Sequence, residues 1–239
     1  MGGTGTGVGK TVVSILLMTH LQDRGLRVAP MKPVETGCRP APGDALALIA
    51  AASEIYPVET VCPYRLTMPA APEAAAEAEG VRIEMKTILE AFRRLQESSD
   101  FVVVEGAGAA ATPYGRRLTG IELARRLGLP MLLVTSEKLG TAGQTIAAVR
   151  ALRYSRTRCL GVVLSTTEPD SGDPHTRGNE RLIRSHLGRV PMLGSLPHLN
   201  LPGGGIGSVP CTVLGSWAKK NMTVFQESIG PALDRILLL

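Results

Sequence analysis

One stretch constrains this chain more than any other: Gly3-Thr4-Gly5-Thr6-Gly7-Val8-Gly9-Lys10-Thr11. Glycines without Cβ let the backbone curl and turn successive N–H groups toward an anion. In such a loop Lys10 sets a positive charge on the β- and γ-phosphates of a nucleotide, and Thr11 offers a hydroxyl to Mg²⁺. The apolar run Val12-Val13-Ser14-Ile15-Leu16-Leu17-Met18 follows at once. It predicts a helix from Lys10 to about Arg24 whose positive end faces the same phosphates. The usual spacing is glycine, four residues, then Gly-Lys-Ser/Thr. Here that first position is Thr4, and Gly3 stands one residue earlier. The alternative is a glycine-rich flexible terminus, against which the immediate helix argues. A phosphate loop normally hangs from a buried strand. Only Met1 and Gly2 precede it, so the first strand is expected to be truncated.

The 239 residues are 44% hydrophobic and 20% charged, enough for a single domain over 1–239. No apolar run approaches bilayer length and the start carries no charged-then-apolar leader, so no membrane partner is expected. The net charge of +5 comes from scattered Lys and Arg, and aromatics are 3%. A nucleic-acid surface would cluster both, so none is expected. Cys38, Cys62, Cys159 and Cys211 form no CxxC pair and no ligand spacing with His. That argues against zinc and disulfides and for a reduced, cytoplasmic setting.

Further along, Arg27–Met31 reads as a strand ending at Lys32, with Pro33 and Gly37 breaking regular structure after it. Strand carboxyl ends are where open parallel sheets bind ligands, but a solvated lysine fits equally. Asp44 opens a helix to about Ala52, as its N-cap or as a metal ligand. The segment 61–72 reads as irregular, 72–80 as Ala/Glu-rich, and 85–98 as an amphipathic crossover helix. The β-branched run Phe101–Val104 predicts a strand buried on both faces that ends in Glu105. A carboxylate at such a tip needs a cation, either Mg²⁺ or a lysine. A short helix is expected over 120–128, strands over 130–135, 159–164 and 192–197, and helices over 141–154 and 177–187. The N-terminus of the helix opening at Gly140-Thr141 suits an anion or ordinary capping by Thr141. Residues 169–174 read as a polar loop, 201–210 as a mobile one, and 221–239 as a terminal helix interrupted at Gly230-Pro231. Strands alternating with helices predict an α/β fold, a doubly wound, mostly parallel sheet.

The run 3–11, Lys32-Pro33-Val34-Glu35-Thr36-Gly37, Asp44-Ala45-Leu46-Ala47-Leu48, Val104-Glu105-Gly106-Ala107-Gly108, Lys138-Leu139-Gly140-Thr141 and Leu193-Gly194-Ser195-Leu196-Pro197 occur in this order. Together they resemble the ATP-dependent dethiobiotin synthetases, over about residues 3–199. The resemblance implies a P-loop NTPase-like fold and ring-closing carboxylation of 7,8-diaminopelargonic acid with CO₂ and ATP, in a homodimer. It implies that Lys10 and Lys32 flank the carbamate and the transferred phosphoryl group. It gives Thr11, Asp44 and Glu105 to Mg²⁺, an all-oxygen set. Gly7, Val8, Gly9, Lys10, Thr11, Val12, Asp44, Glu105, Gly106, Ala107 and Gly108 would bind nucleotide, with Ser165, Thr166, Pro197, His198 and Leu199 around the base. Thr6, Lys32, Thr36, Gly140 and Thr141 would bind the substrate.

The chain departs from that family at three places. Ser165 falls where many members carry Asn, Gly143 where Asn is common, and Ala109 where a second glycine often follows Gly108. A serine hydroxyl reads a base edge less strictly than an amide, so strict ATP selectivity is not expected. Rival readings are a partitioning-type ATPase acting as a switch, a degenerate paralogue, or a cobyrinate-type amide synthetase. The first usually carries an extra lysine early in the loop, where this chain has only Gly and Thr. The last needs a glutaminase domain for which the chain is too short.

Overall fold

The computed structural model describes residues 1–169, 178–202 and 211–237. Within the first segment lie β1 (Gly2–Gly3), α1 (Lys10–Gln22), β2 (Val28–Met31), β3 (Val34–Thr36), α2 (Gly43–Ala51), α3 (Val58–Val61), β4 (Tyr64–Leu66), α4 (Pro72–Ala78), α5 (Met85–Glu97), β5 (Phe101–Val104), β6 (Pro113–Gly115), β7 (Leu118–Thr119), α6 (Gly120–Arg126), β8 (Met131–Ser136), α7 (Thr141–Tyr154) and β9 (Cys159–Ser165). After these come α8 (Asn179–His186), β10 (Met192–Leu196), α9 (Cys211–Ser228) and α10 (Gly230–Leu237).

A first strand forms from Gly2 and Gly3 alone. Gly2 and Gly3 pair in parallel with Leu133 and Val134 of β8. On the other side the Met1 ammonium donates to Val104 O at 2.5 Å, and Gly106 N–H donates to Met1 O at 3.0 Å. Two residues suffice because both neighbours supply backbone partners. The strands therefore stand in the order β2, β5, β1, β8, β9, β10, all parallel where paired. From β1 the chain runs outward to β2 on one side and later fills the other with β8, β9 and β10. β1 is thus the switch point, and the phosphate loop leaves from its carboxyl end, the ligand edge of such sheets.

Helix α1 is buried on nearly every side, from Lys10 to Leu21, which explains its mostly apolar sequence, and its buried Ser14, Thr19 and His20 are each hydrogen-bonded. α5 buries Ile88, Ala91, Phe92 and Leu95 at helical spacing, as predicted. α6 starts with a reciprocal cap between Thr119 and Glu122.

Three elements differ from the sequence reading. Val34–Thr36 is a strand despite its flanking Pro and Gly, pairing in parallel with Tyr64–Leu66 inside the segment read as irregular. The antiparallel β6–β7 ribbon had no clear signal; it buries Tyr114, whose hydroxyl accepts the Ala107 N–H. The terminal helix begins at Cys211 rather than 221, and α10 starts at Gly230 with Pro231 in its first turn, where proline is tolerated. The loop read as polar (all but Pro169) and most of that read as mobile lie outside the described residues.

The terminal helices close one flank. Leu214, Trp217, Phe225, Ile229 and Leu233 join the core cluster of α1 and α2. His20 Nε2 lies 2.8 Å from Asp234 Oδ1, and Arg24 donates to Asp234 Oδ2 at 2.6 Å. Behind β10 the fit is tight. Gly194 has φ +146°, and a Cβ there would stand 2.3 Å from Ser228 O. Gly194→Ala should therefore cost about 2 kcal/mol, lowering the thermal midpoint by roughly 4–8 °C. Thermal denaturation followed by circular dichroism checks this.

Candidate active site

The loop after β1 wraps the start of α1. Gly9 caps that helix at φ +90°, a left-handed conformation a side chain resists. A Cβ on Gly9 would also lie 2.5 Å from Ser165 Oγ. Lys10 folds back and donates to Gly5 O at 2.8 Å, the curled geometry the glycines permit. Its burial, with the Lys32 ammonium nearby, lowers its pKa to about 8.

Beneath the loop lies a buried charge cluster. β2 ends at Met31, and Met31 O accepts the N–H of Glu105 at 2.7 Å. That bond sets the tips of two neighbouring strands, Lys32 and Glu105, side by side. Lys32 Nζ donates to Glu105 Oε1 at 2.6 Å and to Asp44 Oδ2 at 2.8 Å. Thr11 Oγ1 donates to Glu105 Oε1 at 2.9 Å, and Ser14 Oγ to Oε2 at 2.8 Å. Glu105 is 0% exposed and Lys32 2%. Burial alone would disfavour the Lys32 ammonium, but Glu105 and Asp44 more than offset it and hold its pKa above the ordinary lysine value. Burial likewise opposes the charged form of Asp44, while Lys32 beside it brings its pKa below the usual carboxylate range. Both readings weighed for Glu105 thus share one place: the lysine bridge forms, among oxygens that suit a hard cation. Thr11, Asp44 and Glu105 offer a hydroxyl and two carboxylates, the donor chemistry Mg²⁺ prefers.

Asp44 is not the N-cap of α2. Glu35, from β3, accepts the N–H groups of Asp44 at 2.9 Å and Ala45 at 2.8 Å, taking the capping role from a distant strand. The Asp44 side chain is thereby free for Lys32. Nor does Thr141 cap α7. Gly140 precedes that helix at φ +86° with no side-chain cap, and the Thr141 hydroxyl donates to Ser136 O at 2.6 Å.

A cavity of about 980 Å³ opens over this cluster. Of the predicted residues, Thr6, Gly7, Gly9, Lys10, Thr11 and Val12 line it, as do Lys32, Thr36 and Asp44. Ala107, Gly108, Ser165, Thr166, Pro197, His198 and Leu199 line it too. Val8 instead points into the apolar core, Glu105 sits under Lys32, and Gly106 binds Met1. Gly140 and Thr141 lie outside this cavity. Sequence reasoning missed Ser14 and Glu35. Ser14 stands three residues after Thr11 on one helix face, a spacing that could have revealed it. The role of Glu35 depends on β3 lying beside α2, which no local pattern encodes.

A family model described as an AAA domain matches residues 2–202. The chain is 39% identical over 191 residues to the ATP-dependent dethiobiotin synthetase BioD of Anaeromyxobacter dehalogenans, covering 80% of this chain and 85% of that one. It is 36% identical to the synthetase of the same name from Xylella fastidiosa, covering 82% and 88%. Among solved structures it resembles the septum site-determining protein MinD, complexed with Mg-ADP, from Pyrococcus horikoshii. That likeness has a TM-score of 0.58 at 15% identity and covers 95% and 93% of the two chains. A ParA family ATPase from Chlorobium tepidum gives 0.53 at 12%, covering 100% and 98%. At such identities these two show the fold alone, an α/β P-loop fold.

Removing Lys32 would strand a fully buried carboxylate with two hydroxyl donors. Lys32→Ala should therefore lose about 3–5 kcal/mol of stability and roughly 10 °C in thermal midpoint, read by calorimetry. A midpoint unchanged to within about 2 °C would show that the Lys32 contacts add no net stability to the free protein.

Proposed function

The chain belongs to the AAA-domain family and to the ATP-dependent dethiobiotin synthetases, and on that premise we propose that it closes the ureido ring of dethiobiotin from 7,8-diaminopelargonic acid, CO₂ and ATP. It is an ATP-dependent ligase of biotin biosynthesis. One observation carries the finer reading: Lys10, Thr11, Lys32 and Asp44 line one cavity directly over buried Glu105.

In this reading an amine of the substrate takes up CO₂ as a carbamate. A carbamate oxygen attacks the γ-phosphorus and ADP leaves. The second amine then attacks the carbonyl carbon of the mixed anhydride, and phosphate departs as the ring closes. No protein nucleophile is required, so positioning and charge neutralisation supply the acceleration. Lys10 holds the phosphates from within the loop. Lys32 gives up one of its acid partners to meet the carbamate and the transferred phosphoryl group. Thr11, Asp44 and Glu105 would hold Mg²⁺, which when bound neutralises and orients the nucleotide phosphates. Thr6 and Thr36 face the substrate amines.

The uncapped first turn of α7, at Gly140 and Thr141, takes the substrate's carboxylate tail. Because those residues lie outside the main cavity, the tail crosses to them from a second copy's site, which makes the working unit a homodimer. Residues 1–239 act as one domain, in keeping with a core cluster that runs from Val8 to Leu233. A cytoplasmic setting fits, and no helix among the described residues is long and apolar enough to cross a membrane. The partitioning-type switch draws only on fold-level likeness, and the named relatives favour the synthetase.

Incubation with diaminopelargonic acid, bicarbonate and Mg·ATP should yield dethiobiotin, read by mass spectrometry together with ADP. ADP formation without dethiobiotin would contradict the reading. The nucleotide base meets Ser165, whose hydroxyl can donate or accept. Product formation with GTP or CTP should therefore fall within about tenfold of that with ATP, far from the discrimination a fixed hydrogen-bonding edge gives. Competition assays among the triphosphates measure it.

A further inference from the structure

Four threonine hydroxyls meet behind the phosphate loop, outside the charge cluster. Thr135, near the end of β8, is 0% exposed. Its Oγ1 lies 2.9 Å from Thr4 Oγ1, 2.7 Å from Thr141 Oγ1 and 2.9 Å from Thr145 Oγ1. Thr4 opens the phosphate loop, whereas Thr141 and Thr145 belong to the first two turns of α7. One hydroxyl thus touches both the nucleotide loop and the helix whose N-terminus the proposed function gives to the substrate tail.

Donor counting gives this cluster a direction. Each hydroxyl has one hydrogen and two acceptor sites. Thr141 spends its hydrogen on Ser136 O at 2.6 Å, so toward Thr135 it can only accept. Thr135 must then donate to Thr141, which obliges Thr4 to donate to Thr135. Thr145 donates to Thr135, sharing its hydrogen with Thr141 O at 2.7 Å. Thr135 ends with one bond given and two received, its full capacity. The chain runs Thr4 to Thr135 to Thr141 to Ser136 O, and aligned hydroxyls of this kind strengthen one another where water is excluded. The rest of β8 up to Val134 is apolar, so a valine at 135 would serve packing as well. A fully satisfied hydroxyl there specifies an arrangement rather than filling space.

We propose that Thr135 is a positioning residue that locks the phosphate loop to the first turn of α7, so that nucleotide binding also orders the helix end that receives the substrate's carboxylate. The inference rests on the proposed function for the identity of that carboxylate, but the coupling itself does not. The test uses Thr135→Val, which matches the side chain in shape, and Thr135→Ser, which keeps the hydroxyl. Thr145 and Thr141 retain backbone acceptors in the valine variant, and half-exposed Thr4 can turn to solvent, so the variant should fold.

Amide hydrogen exchange is read with and without Mg·ADP. In the parent chain ADP should slow exchange both in the loop and at residues 141–144, the latter by at least about fivefold. In Thr135→Val the loop protection should persist while that at 141–144 is lost, and Thr135→Ser should restore it. In turnover, Thr135→Val should lower kcat/KM for the diamine by about tenfold or more with ADP affinity unchanged. Protection at 141–144 that is absent in the parent, or that survives in the valine variant, would overturn the inference. A parent chain that shows the exchange pattern but makes no dethiobiotin would sustain the coupling and refute the proposed reaction.

Discussion

The site depends on one buried contact, the ammonium of Lys32 against the carboxylate of Glu105 at 2.6 Å. Neither charge could be buried alone without several kcal/mol of desolvation cost. Together they tie the tip of β2 to the tip of β5, and Asp44 ties both to the start of α2. Thr11 and Ser14 fasten α1 to the same carboxylate. One cluster of charge thus joins two strands and two helices at the sheet's ligand edge. Such a pair is weak as a source of stability, because packed apolar residues would serve as well or better. Its presence is better explained by chemistry: a lysine held by two acids in the free protein can pass to an anionic substrate when a cation takes the acids.

Much of this was legible in the sequence because phosphate loops and buried parallel strands write their requirements locally. The glycines, Lys10 and Thr11 define the loop by spacing, and the unbroken run Phe101–Val104 announces a strand, although only Val103 is fully buried and its three companions are half-buried. Lys32 and Glu105 each stood out as charges at strand ends. Their pairing did not, because it arises from the register Met31–Val104 between strands 73 residues apart in the chain.

The misses share a cause. Two glycines have no strand preference, yet β1 forms because neighbours on both sides offer it backbone partners. Val34–Thr36 lies between Pro33 and Gly37 and becomes a strand only through Tyr64–Leu66. Asp44 looked like a helix cap until Glu35 arrived from β3 to take that role. Thr141 looked like another, yet its hydroxyl turns to Ser136 O and the threonine cluster. In each case a long-range partner overrides what the local residues would do alone. The same holds for the terminal helices, whose core residues Trp217, Phe225 and Leu233 pack on α1 from the far end of the sequence.

The central claim is that the Lys32 cluster is an exchangeable site rather than a permanent strut. Crystals grown with Mn²⁺ in place of Mg²⁺ and a non-hydrolysable ATP analogue test it most directly, because anomalous scattering locates the metal and the map shows the lysine. The account predicts the metal among Thr11, Asp44 and Glu105, with Lys32 drawn away from at least one acid toward the γ-phosphate. A metal bound elsewhere, with Lys32 still bonded to both Glu105 and Asp44, would contradict it.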